Sequence, residues 1–151
     1  MKQLNLDALG SEMQNSMKSG DKLRVATLKL LMSAIKNAQV AKRGDLTDDE
    51  SIEVVSREFK KRQEAAQEFR KAGREDRAST EEAEAEILKE WMPQQLSSEE
   101  VQRLVDEAVT ETGAATPAEM GKVMGVLMPK LKGRADGKLV SELVRKKLGG
   151  A

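Results

Sequence analysis

Five basic side chains, Lys122, Lys130, Lys132, Arg134 and Lys138, gather in and beside a glycine-punctuated run, PKLKGRADGK, near the carboxyl end. The chemistry open to them is anion binding. A guanidinium offers a planar fork to phosphate oxygens and an ammonium offers a point charge. Gly133 and Gly137 can take backbone conformations closed to other residues, letting N–H groups point one way. Asp136 is placed to start a helix, whose free N–H groups and positive dipole end would face the same side. Together these predict a phosphate seat, and a row of such contacts suits an RNA backbone. With aromatic residues at 2%, base stacking is a poor candidate for the main contact. Shape and backbone readout of a folded RNA fit better, with nearby Ser and Thr adding neutral phosphate contacts. A plain turn between two helices, built from ordinary turn and solvent-facing residues, is the alternative.

The charge distribution favours binding. Between Met120 and Leu148 eight basic residues face two acidic ones, a surplus of +6, while the whole chain is neutral at 26 against 26. Everything before Met120 therefore carries −6. A neutral protein with one strongly positive end fits a polyanion partner.

Composition removes several kinds of chemistry. There is no Cys, hence no thiol nucleophile and no thiolate metal site. There is no His and no Tyr, which removes the commonest general base, the Ser–His relay and the usual metal ligand. No cofactor and no metal site is expected. The amino end lacks the long apolar region of a signal peptide, and no apolar run reaches membrane-spanning length. A cytoplasmic protein without a membrane partner is the expectation.

The elements that would position the basic cluster are helices throughout. Leu6, Leu9, Met13 and Met17 fall at helical spacing, and Gly20 closes that segment. Asp21 caps a second helix with Val25, Leu28, Leu31, Met32 and Ile35 inward, ending near Arg43-Gly44; the two predict a hairpin. Thr47 with Glu50 forms a capping box for a long third helix, buried along Ile52, Val55, Phe59, Ala66 and Phe69 and stopped by Gly73. Its solvent face is expected to carry Arg57, Glu58, Lys60, Lys61, Arg62 and Glu64. Ser79 with Glu82 predicts the start of a fourth helix, with Ala83, Ile87, Leu88 and Trp91 inward and Pro93 at its end. Ser97 with Glu100 opens a fifth, buried along Val101, Leu104, Val105, Ala108 and Val109. Thr116, Pro117 and Glu119 predict a sixth lined by Met120, Val123, Met124, Leu127 and Met128, closed by Pro129. The last runs from Asp136 with Leu139, Val140, Leu143, Val144 and Leu148 inward. The expected fold class is all-α. An N-terminal long-helix domain, a hairpin plus further helices, occupies residues 1–93, and a small helical domain bearing the basic turn occupies 94–151.

Other features invite simpler readings. Gly121 and Gly125 lie four apart on one helix face, where glycine costs about 1 kcal/mol against alanine; close packing of another helix is the expected cause, a ligand backbone the alternative. Lys71-Ala-Gly-Arg-Glu-Asp76 is a charged helix stop. Glu81, Glu82, Glu84 and Glu86 read as a solvent-facing edge.

Met120-Gly-Lys-Val-Met-Gly125, Met128-Pro-Lys130 and Lys132-Gly-Arg-Ala-Asp-Gly-Lys-Leu-Val140 closely resemble the signature of the YqeY-like family. That family includes the C-terminal tail domain of the B subunit of glutamyl/aspartyl-tRNA amidotransferase. Lys71–Asp76 and Met92-Pro-Gln-Gln-Leu96 resemble the N-terminal half of stand-alone members. The resemblance implies a helical domain followed by a small one like the amidotransferase tail. It implies tRNA or another structured RNA as partner, with translation-related proteins beside it. Carried over on the shared motif, Lys122, Lys130, Lys132, Arg134 and Lys138 are the implied contacts. The activity attached to the family, a carbon–nitrogen ligase using glutamine as amido donor, belongs to the full enzyme. This chain shows no Gly-x-x-x-x-Gly-Lys-Ser/Thr phosphate loop, no Ser-rich amidase segment and no catalytic residue of its own.

Three functions follow, in order: an accessory RNA-binding protein; a subunit in glutamine-dependent amide transfer that needs partners; and an adaptor whose acidic N-terminal helices dock a basic protein.

Overall fold

A computed structural model describes residues 2–150. Seven α-helices and one 3₁₀ turn build it, and no strand occurs among the described residues. The chain divides into two compact units, Met1–Pro93 and Gln94–Ala151.

In the first unit, Asn5 caps α1 (Leu6–Ser19) by accepting from the Ala8 N–H at 2.8 Å. Gly20, at φ +78°, turns the chain left-handed, and Asp21 then accepts from the Arg24 N–H to start α2 (Lys22–Lys42). The expected hairpin is present. Thr47 and Glu50 form the predicted capping box at the head of α3 (Asp48–Lys71). A hydrogen bond from Lys42, then those from Thr47, hold the Glu50 carboxyl down at about 2. Leu9, Leu28, Leu31, Ile35, Val55, Leu88 and Trp91 are at most 2% exposed and make the core. Helical stripes of Leu, Ile and Val bury this apolar surface with few aromatics.

Three expectations fail here. Helix α4 (Glu75–Lys89) begins at Glu75, four residues ahead of Ser79, with Arg74 at the cap position and no side-chain cap. Ala78 is fully buried, and that contact extends the helix back past the local start signal. Met17 is 61% exposed while Ser16, one residue earlier, is buried. The Ser16 hydroxyl donates to the Glu12 carbonyl at 2.8 Å, which allows it inside. Arg62, Glu58 and Glu84 leave the solvent faces assigned to them. Arg62 pairs with Glu58 at 2.9 Å and reaches across to Glu84 on α4 at 3.4 Å, all three side chains under 20% exposed. Burial, then the neighbouring Glu81, raises the Glu84 carboxyl despite Arg62. Helices α3 and α4 thus share a polar seam that sequence spacing cannot reveal.

A second charge cluster joins the start of the chain, α1, α2 and the end of α4. Lys2 reaches Glu12 and Glu90 at 3.0 Å each. Arg24 reaches Glu90 at 2.6 Å and Glu12 at 3.4 Å. The Lys2 ammonium also sits 5.3 Å from the Trp91 ring centre. The bond from Arg24 lowers the Glu90 carboxyl, and that from Lys2 lowers Glu12. For a carboxylate depressed in the folded state, the stabilisation is full above the unfolded value near 4.5 and disappears as pH falls through the lower folded value. Thermal stability is therefore expected to drop on acidification below that point, and Arg24→Met should flatten the drop. Melts followed by Trp91 fluorescence from pH 6 to 3 check it; an unchanged slope in the variant removes the cluster as its source.

In the second unit, Ser97 and Glu100 form the capping box of α5 (Ser98–Thr112). Thr116 does not cap a helix directly. A 3₁₀ turn, Pro117–Glu119, intervenes before α6 (Met120–Leu131), and Glu119 instead accepts from the Ala115 N–H and the Thr116 hydroxyl. Pro129 lies inside α6, which runs on to Leu131. Pro129 has no N–H to give the carbonyl of Gly125, four residues before it, so that helical bond is missing. Asp136 opens α7 (Gly137–Lys147) as expected. Val105, Val123, Leu127, Leu131, Val140 and Val144 are fully buried between α5, α6 and α7. No helix among the described residues is long and apolar enough to cross a membrane.

Candidate nucleic-acid interface

The charge asymmetry is internal to the small unit. Residues 1–93 hold 17 basic and 18 acidic side chains, and residues 94–151 hold nine and eight. Within the second unit, residues 94–119 carry one basic and six acidic groups, −5, against the +6 of Met120–Leu148. The counter-charge sits mainly on α5 and not along the N-terminal helices, so the adaptor reading loses the broadly acidic surface it assumed.

The basic turn has a defined geometry. The Arg134 N–H donates to the Leu131 carbonyl at 2.9 Å. Lys132 between them has φ −57° and ψ 120°, and Gly133 has φ +74°. That is a type II turn, which requires the positive φ that glycine supplies at its third position. Gly137, by contrast, has no positive φ and begins α7; the conformational freedom expected of it is not used.

An extended segment braces the turn. The Leu96 N–H donates to the Arg134 carbonyl at 2.9 Å, and the Gln95 side-chain amide donates to the Gly133 carbonyl at 2.7 Å. Arg134 returns a bond from Nε to the Gln94 carbonyl at 3.3 Å. In the sequence Gln94, Gln95 and Leu96 mark a boundary and part of a family resemblance, with no bracing role. A polar pair so close to Pro93 was the available signal, but its partners lie about 40 positions on. Arg134 is half-buried and shares in this bracing.

The four lysines stand outward. Lys122, Lys130, Lys132 and Lys138 are all exposed. Lys122 lies 3.9 Å from Glu119, and Lys130 3.7 Å from Glu111 on α5, between groups at least 30% exposed. Long, solvated pairs of this kind contribute at most about 1 kcal/mol and yield readily to a stronger anion. On α7, Lys147 pairs with Asp106 of α5 at 3.3 Å. The helix start is less open than its dipole suggests, because the Asp136 carboxylate accepts the Lys138 N–H at 3.1 Å. An anion there competes with the protein's own cap, so the lysine side chains, not a backbone nest, are the main attraction.

Gly121 and Gly125 are exposed, and a Cβ built on either meets nothing within 4 Å. The expected close packing of another helix is absent at both. With Lys122 and Pro129 they leave an outward strip of α6 where the backbone is thinly covered. Among the described residues no cluster of acidic side chains could hold a metal ion.

The family model described as Yqey-like protein matches residues 6–148. The chain belongs to the YqeY-like family. The YqeY-like chain is 46% identical over 72 residues to a glutamyl-tRNA(Gln) amidotransferase subunit of Thermococcus gammatolerans, covering 45% of this chain and 12% of that subunit. The corresponding subunit of Aeropyrum pernix is 51% identical over 57 residues, 35% of this chain and 9% of its own length. Altered inheritance of mitochondria protein 41, mitochondrial, of Pyrenophora tritici-repentis is 28% identical over 149 residues, 95% of this chain and 81% of that protein. The YqeY-like chain thus spans a small part of the amidotransferase subunits and most of the mitochondrial protein.

Proposed function

We propose that this YqeY-like chain is an accessory protein that binds tRNA or another structured RNA. The 94–151 unit is then the RNA-binding domain, and residues 1–93 are a separate helical domain. Lys122, Lys130, Lys132 and Lys138 contact phosphates; Arg134 holds the turn and adds its charge. The carrying observation is that Lys122, Lys130, Lys132 and Lys138 are all exposed, in a stretch that carries +6 against the −5 of residues 94–119. The amidotransferase relatives support tRNA as the partner, since glutamyl-tRNA(Gln) is in their name. The bare strip of α6 adds a place where a sugar–phosphate chain can come close. At Gly125 the helix carbonyl has no N–H partner at Pro129, and a ribose 2′-hydroxyl is a suitable donor.

The test is tRNA binding to the purified chain across a salt series. The logarithm of affinity should fall linearly with the logarithm of salt, with a slope of about 0.7 to 0.9 per phosphate engaged. A flat response refutes a phosphate interface. The name of the amidotransferase relatives also favours a second reading, participation in glutamine-dependent amide transfer within a larger complex. Glutaminase or transamidation activity from the chain alone would replace the accessory role with that one.

A further inference from the structure

The first unit carries a surface that the RNA reading does not use. A groove of about 340 Å³ runs between α1 and α2, with Met13, Met17, Val25 and Met32 along it and Lys29 and Lys36 at its side. Three of the four large apolar side chains left exposed among the described residues belong to these two helices: Met17 at 61%, Leu30 at 52% and Val40 at 76%. Methionine thioethers are flexible and polarizable, and they adapt to whatever apolar surface is pressed on them.

The charge around this groove is equally uneven. Most basic residues of the first unit are held by carboxylates: Lys2, Arg24, Lys42, Arg62, Arg70 and Lys89 among them. Lys18, Lys22, Lys29 and Lys36 make no ion pair among the described residues, although the unit as a whole has an acid to spare. Lys22, Lys29 and Lys36 recur every seven residues and so line one edge of α2. Unpaired ammonium groups beside an open apolar floor lack both of their complements.

We propose that the α1–α2 groove docks an amphipathic helix of a partner protein, with Leu- or Met-type anchors on one face and Glu or Asp along its flank. Apolar anchors fill the methionine floor, and the acidic flank meets Lys22, Lys29 and Lys36. A nucleic acid would use the lysines but leave the exposed Met17 without a counterpart. This inference is independent of the RNA site on the second unit.

The full chain, labelled at its methionine methyl groups, tests it by NMR. The probe is a synthetic amphipathic helix of about 18 residues, five turns, with leucines at i, i+3, i+4 and i+7 and glutamates on both flanks. Methyl signals of Met13, Met17 and Met32 should shift on titration while those of Met120, Met124 and Met128 stay. The double variant Lys29→Glu, Lys36→Glu should weaken binding at least tenfold with an unchanged melting curve. Met17→Ser, at an exposed position, should weaken it severalfold. The idea is overturned if the glutamate peptide moves none of these methyls, or if a lysine-flanked version binds as well. It is overturned equally if a uridine oligonucleotide shifts the same three signals, which makes the groove a nucleic-acid surface. Concentration-dependent self-association that Met17→Ser removes would make it a contact between copies and overturn it too.

Discussion

The quadruple variant Lys122→Glu, Lys130→Glu, Lys132→Glu, Lys138→Glu is expected to lose tRNA binding by about a thousandfold at low salt. An exposed charge contact contributes on the order of 1 kcal/mol, and four reversed together amount to about three powers of ten. The salt slope should fall as well, by about 1 for each phosphate contact removed. The fold should survive, because these side chains are exposed and the two ion pairs drawn by Lys122 and Lys130 are long. Arg134 is left in place on purpose. Its Nε and its backbone carbonyl both brace the turn, so changing it would confound loss of charge with loss of shape. Filter binding or fluorescence anisotropy at several salt concentrations measures the effect. Retained affinity with an unaltered slope would take these lysines out of the interface.

Local signals foretold most of this architecture. Asp21, Thr47 with Glu50, Ser97 with Glu100, and Asp136 each cap the helix expected of them, since a cap is decided within a few residues. Two of the failures come from tertiary contact. Helix α4 starts early because Ala78 has a buried place to go, and Arg62 turns inward because Glu84 waits on another helix. Thr116 offered the same letters as the working capping boxes, yet Glu119 was drawn to the Ala115 N–H and a 3₁₀ turn resulted.

The candidate site divides in the same way. The lysines, the positive φ at Gly133 and the helix start at Asp136 were visible as residue types and spacing. Gln95 was not, because its hydrogen bond to Gly133 crosses 38 positions. Nor could spacing say whether two glycines on one helix face another helix or solvent. That question needed the third dimension, and its answer changes what the glycines predict.

Replacing Gly125 by alanine is expected to move stability and binding in opposite directions. The position lies within α6, has ordinary helical backbone and faces open space, so the added methyl group meets nothing within 4 Å. Alanine should therefore stabilise the helix by about 1 kcal/mol, chiefly by restricting the unfolded chain. Slower hydrogen exchange at the Val123 and Leu127 amides would register the gain. If a ribose or phosphate lies against this strip, the same methyl group intrudes on contacts of hydrogen-bond length. A hydrogen bond to a charged group contributes about 1.5 to 3 kcal/mol, so affinity for tRNA should fall roughly tenfold to a hundredfold. A residue kept only for packing could not behave this way, because loss of packing lowers both quantities together. Stabilisation with undiminished affinity would confine the interface to the turn and α7, and leave the exposed glycines of α6 without a role in binding.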